Sequence, residues 1–146
     1  MEHWRKLVEE VSVWPQVSVH PHRFGGKEFR FGSAEVGHVH TSGMVDIPLP
    51  CPVRDALLDE GLAEEHHWVP DSGWVSFRIR GDQDLEHAVW LLRLSLLRYR
   101  LKAATDPGKL LDQESDELSL SPRFRSLFRP FLGKPPNQVS AAPLSA

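Results

Sequence analysis

Residues 17–49, VSVHPHRFGGKEFRFGSAEVGHVHTSGMVDIPL, decide the fold. Val17 and Val19 alternate with Ser18 and His20, and Phe29 and Phe31 alternate with Glu28 and Arg30. Residues 35–40 and 44–49 form two further runs, and in the last of them Val45, Ile47 and Leu49 leave Asp46 on the opposite side. Apolar and polar residues alternating with period two are what a half-buried strand produces, because successive side chains point to opposite faces. Gly25-Gly26, Gly32-Ser33 and Thr41-Ser42-Gly43 separate the runs as turns. Connections this short join antiparallel neighbours, so the stretch predicts a four-stranded meander.

Upstream of it, Trp4, Leu7, Val8 and Val11 recur at helical spacing over residues 2–12, and Trp14-Pro15 ends that helix. Downstream, Pro52 suits the first turn of a second helix and Gly61 its end, with Val53, Ala56, Leu57 and Leu62 as the buried stripe. Residues 64–69 read as a short strand and Pro70-Asp71-Ser72-Gly73 as a turn. Residues 74–80 read as a strand with Val75, Phe77 and Ile79 on one face. A long helix then runs from about Asp82, its cap, to Lys102, with Leu85, Ala88, Val89, Leu92, Leu96 and Tyr99 as its stripe. This order predicts an α+β fold, a mainly antiparallel sheet of about five to six strands with three helices packed on it.

Residues 1–104 are read as that domain. Six of the twelve prolines lie after Ala103, so residues 105–146 are read as a Pro-rich, extended C-terminal tail, partly disordered or docked on the domain. Its basic, aromatic stretch 121–133 suits docking better than a membrane surface or an acidic partner, because phenylalanines are costly to leave in water.

A chain of 146 residues with a net charge of -3 fits one soluble domain with a real core and carries no basic field. Nucleic acid is therefore not an expected partner. No apolar run reaches the roughly 18 residues of a membrane helix, and Met1–Lys6 reads as amphipathic rather than as a signal peptide, so a cytoplasmic location is expected. The single cysteine, Cys51, excludes an internal disulfide and a thiolate cluster. Placed between Pro50 and Pro52 it reads as structural, and neither Ser72 nor Ser76 has an elbow motif around it. Gly25-Gly26-Lys27 lacks a phosphate-loop fingerprint.

Histidine carries the chemistry. His20 and His22, and again His38 and His40, are i,i+2 pairs that a strand projects together. With Asp46 they form the candidate catalytic set. Arg23, Phe24, Trp74, Ser76 and Arg78 are the candidate substrate contacts. His66-His67 is a poorer pair, since neighbours on a strand face opposite ways. Imidazoles beside a carboxylate suit acid–base work; a metal site on His38 and His40, completed by His20, His22 or Asp46, uses the same residues. No cofactor and no metal is assigned, and a small-molecule ligand is the expected partner. Hairpin edges leave room for a homodimer that nothing in the residues requires.

Several stretches resemble one family. They are His20-Pro21-His22-Arg23-Phe24-Gly25-Gly26 with Phe29 and Phe31, Glu35-Val36-Gly37-His38-Val39-His40, Val45-Asp46-Ile47-Pro48, and His66-His67 through Pro70-Asp71-Ser72-Gly73-Trp74-Val75-Ser76-Phe77-Arg78. Together, over roughly residues 14–100, they look like the luciferase domain of small bacterial and fungal proteins, formerly a domain of unknown function. The family takes its name from the luciferase of bioluminescent fungi, which adds molecular oxygen to a hydroxylated styryl-pyrone. The resemblance implies an oxygenase-like enzyme, free of flavin and metal, with molecular oxygen as co-substrate and a planar phenol, enol or pyrone as substrate. It bears most directly on His38 and His40. The fungal enzyme lacks an equivalent of Asp46. A metal-dependent enzyme and a non-catalytic binding module are the rival expectations.

Overall fold

The computed structural model describes residues 1–66 and 72–133. His67 and the rest of the second half of the expected strand over 64–69, Pro70-Asp71 and the last dozen residues lie outside the described residues. The chain forms two compact units, residues 1–99 and a second that begins at Arg100.

In the first unit, α1 (His3–Ser12) precedes four strands, β1 (Val17–Pro21), β2 (Lys27–Phe31), β3 (Ala34–Val39) and β4 (Met44–Pro48). Helix α2 (Cys51–Asp59) leads to a two-residue strand β5 (Glu64–Glu65), then β6 (Trp74–Arg78) and the long helix α3 (Asp82–Ala103), whose last four residues belong to the second unit. The sheet is antiparallel throughout, in the order β1-β2-β3-β4-β6-β5. The meander is as the alternation predicts. β6 then inserts between β4 and β5, so residues 30 positions apart in sequence become neighbours.

Each side of the sheet is set by the pleat. Phe29, Val36, Val39, Val45, Ile47 and Val75 are fully buried. Leu7 and Val11 of α1, Val53 and Leu57 of α2, and Leu91, Leu92 and Leu94 of α3 complete the apolar core. Within α3, six of the seven residues from Leu91 to Leu97 are buried, a wider surface than the single stripe the spacing suggested. Ser95 Oγ and Arg98 Nη2 donate to the Pro48 carbonyl at 2.8 and 3.0 Å, tying the helix to the end of β4. Asp82 stands in the first turn of α3 and pairs with His3 at 3.2 Å. Asp84 Oδ2 accepts the N–H of Arg80, ahead of the helix, at 2.8 Å.

One irregularity shapes the site. The β2–β3 register shifts so that Phe29 faces Gly37 while Arg30 faces Glu35. Val36 is thereby the extra residue of a β-bulge. At Gly37 a Cβ would stand 2.6 Å from a Leu92 methyl and 3.0 Å from the Asp46 carbonyl oxygen, so the bulged strand approaches α3 where only glycine fits.

In the second unit, α4 (Pro107–Glu117) and α5 (Pro122–Leu127) occupy part of the stretch read as a tail. Asp106 and Ser121 cap them, accepting the Lys109 and Phe124 N–H groups at 3.2 and 3.3 Å, and Pro107 and Pro122 sit in the first turns. Prolines that suggested an extended tail here start helices. Leu111, Phe124 and Phe128 are buried and Phe131 is half-buried, so these aromatics are packed. Arg100 donates to the buried Glu114 at 2.6 Å. Among the described residues no helix is long and apolar enough to cross a membrane.

Candidate functional site

The sheet face opposite the core carries an unbroken cross-strand row, His20, Glu28, His38, Asp46, Ser76 and Glu64, each register partner of the next. Partners in a register share a face, so this row follows from the pairing alone. The bulge adds Glu35. In a regular strand residues three apart point to opposite sides; with Val36 extra, Glu35 and His38 meet.

His38 is the centre of the cluster and 9% exposed. Its Nδ1 lies 2.9 Å from Glu35 Oε2 and its Nε2 3.1 Å from Asp46 Oδ2. Ionised carboxylates only accept, so both ring nitrogens donate and the ring is an imidazolium. Burial alone would pull this imidazole down, but the hydrogen bonds and charges of Asp46 and Glu35 outweigh it and push it up to about 9. Asp46 is 5% exposed. Burial would raise its carboxyl, yet His38, Ser76 and His40 together hold it well below the usual carboxylate range. Ser76 Oγ donates to Asp46 Oδ1 at 2.6 Å, His40 Nε2 donates to Oδ2 at 2.8 Å, and His66 Nε2 stands 3.6 Å from Oδ1.

His22 is carried past the end of β1 and stacks on His38, ring centroids 3.9 Å apart and planes 18° from parallel. Its Nδ1 lies 3.3 Å from Glu28 Oε1, whose other oxygen accepts from Arg30 Nε at 2.5 Å. Trp74 closes the far side, 5.4 Å from His38 and 6.0 Å from His66 by ring centroids. These imidazoles and Asp46, with Arg23 and Phe24, line an open pocket of about 470 Å³.

Three consequences follow for chemistry. His38 is saturated: as a double donor it has no lone pair to offer a proton or a metal. His40 is different, because Asp46 holds its Nε2–H and leaves Nδ1 as a base without a protein partner among the described residues. His22 likewise has Glu28 on Nδ1 and no partner on Nε2 among the described residues. One ring nitrogen on a carboxylate and the other free is also how metal-binding histidines are oriented, and one ligand atom from each of His22, His38 and His40 lies within 4.8 Å of the others.

His22, His38, His40, Asp46, Ser76 and Trp74 are thus brought together, with Arg23 and Phe24 at the pocket. His20 shares the row but bonds Ser18 Oγ at 2.8 Å and does not line the pocket. Arg78 shares the face, donates to the Ser42 carbonyl at 3.2 Å and also lies outside it. Glu28 and Glu35 are not singled out in the sequence, and His66 is read there only as half of a poorer pair. Alternation did place Glu28 on the polar face, but for Glu35 it pointed the wrong way, and His66 needed β6 beside β4.

Residues 33–95, somewhat less than half of the chain, match the model of the luciferase domain family. The match takes in Glu35, His38, His40, Asp46, His66 and Ser76 and stops short of β1, β2 and His22. No curated protein and no solved structure matches the chain.

Proposed function

We propose, starting from this cluster and the luciferase-domain match, that the protein is a cofactor-independent, oxygenase-like enzyme acting on a planar phenolic or pyrone-like small molecule. His40 Nδ1 takes the acidic hydroxyl proton, with Asp46 fixing the tautomer and stabilising the imidazolium that forms. The electron-rich anion passes one electron to molecular oxygen, the two radicals combine, and the resulting peroxide anion recovers the proton from His40. His38 acts as a fixed cation that holds Asp46 ionised and aligned rather than as the base. Arg23 lines the same pocket and supplies a cation that orients the anionic substrate.

The observation that carries this reading is the pairing of one saturated imidazole, His38, with one oriented and half-free imidazole, His40, on the same Asp46 oxygen. Such a division separates a structural cation from a working base. Oxygen uptake with hydroxypyrones and catechols tests it. Wild-type turnover lost in His40→Ala, with folding unchanged, is the expected result. Turnover unaffected by His40→Ala, or no binding of any planar phenol, overturns it.

A second reading is metal-dependent chemistry on His22, His38 and His40, favoured by the closeness of their ligand atoms. It requires His38 to give up a carboxylate. Elemental analysis of tag-free protein, wild type beside His22→Ala/His40→Ala, separates the two: stoichiometric zinc, iron or nickel lost in the variant selects the metal.

A further inference from the structure

The charges around the pocket are unevenly satisfied. Glu28 is held by Arg30 and His22, Glu35 by His38, and Asp46 by Ser76, His38 and His40. Every carboxylate of the cluster therefore already has its donors. Arg23 is the exception among the charges lining the pocket: its guanidinium has no ion-pair or hydrogen-bond partner among the described residues.

The neighbour of Arg23 is equally unusual. Phe24 is 95% exposed, and its backbone is left-handed at φ 56°, ψ 36°. A bulky side chain in that region is strained, and such strain persists only where the surroundings impose it. Here the turn is closed by His22 N–H donating to the Gly26 carbonyl at 2.9 Å and Gly26 N–H to the Arg23 carbonyl at 3.1 Å. Gly26 itself is seated on β3, where a Cβ would stand 2.6 Å from the Val39 carbonyl oxygen. A rigid turn thus holds an unpaired cation and an aromatic ring side by side at the mouth of a pocket lined with imidazoles.

We infer that the ligand of this pocket is an aromatic acid: a planar ring bearing a fixed anionic group for Arg23 at one end and an ionisable hydroxyl for His40 at the other. This rests on the proposed function and names the substrate class it leaves open. Phe24 covers the ring and Arg23 pairs with the anion, a charge-assisted contact that no other group at the pocket is free to make. Positively charged molecules find every carboxylate taken. A pocket of about 470 Å³ suits a ligand of one or two rings.

The test uses 4-hydroxybenzoate, its neutral amide 4-hydroxybenzamide, and the neutral hydroxypyrone maltol, with binding followed by NMR titration of the full chain. Wild type is expected to prefer the acid over the amide by on the order of tenfold, the effect of one charge-assisted contact. In Arg23→Gln that preference disappears while the weaker amide binding stays, and Arg23→Lys restores part of it. Phe24→Ala weakens acid and amide alike. Equal binding of acid and amide to wild type, or a preference that survives Arg23→Gln, overturns the inference. Binding of maltol without binding of the acid overturns the inference alone; binding of none of the three overturns the proposed function as well. Both side chains are exposed, so far-UV circular dichroism of each variant should match wild type.

Discussion

The two faces of the one sheet are organised by different physics. On the helix side Phe29, Val39, Val45, Ile47 and Val75 are closed by apolar packing. That force has no direction and scales with the area removed from water. On the other side His38 and Asp46 are nearly as buried, yet each is held by directed hydrogen bonds between opposite charges. Packing tolerates substitutions that keep volume. A buried ionic network tolerates none that leaves one member unpaired. The comparison teaches that burial here is spent twice, once on stability and once on fixing protonation states.

The largest expected effects test both faces together. Phe29→Ala should cost about 3–5 kcal/mol through a cavity, and Asp46→Ala a similar amount through an uncompensated His38. The faces differ in the second change. Asp46→Ala/His38→Ala should cost less than the sum of its single changes, because the second removes the stranded charge, as a denaturant double-mutant cycle would measure. Additive costs would break the comparison and reduce the polar face to ordinary surface.

Next in size is the pH dependence. His38 is raised from 6.5 to about 9, so its stabilisation is fully present below pH 6.5 and is lost as pH rises through about 9. Asp46 is lowered, so its contribution is present above its usual value of 3.8 and lost only in strong acid. Together they place greatest stability between about pH 4 and 6.5, followed by a decline of roughly 3 kcal/mol at most toward pH 9. Urea titrations across that range should show the slope, and His38→Gln should flatten it, whereas Phe29→Ala should leave it intact. A slope unchanged in His38→Gln would show that His38 does not carry it.

The smallest effect expected is that of His20→Ala. Its bond to Ser18 is exposed and lies outside the pocket, so stability should change by less than about 0.5 kcal/mol and ligand binding not at all. A marked loss of binding would extend the site one strand outward.

Much of this was legible in the residues. Alternation over residues 17–49 predicts the meander, and the two His-x-His pairs with Asp46 locate the polar face. The capping residues Asp106 and Ser121 were present in the sequence too, but the prolines beside them suggested an extended tail and masked two helix starts. His20 and Arg78 share the face without reaching the pocket, because parity specifies the side of a sheet and not the distance along it.

The sequence by itself determined which residues alternate, where the chain turns, and therefore which side chains share a face, since these depend on a two-residue repeat and local backbone preferences. Only the tertiary structure decided that β6 lies against β4 and supplies Ser76 to Asp46, and that a bulge packed on Leu92 turns Glu35 toward His38. It also decided which histidine is a cation and which keeps a free lone pair. Protonation is set by the partners an imidazole meets in space, and those partners come from strands whose neighbours no local pattern specifies.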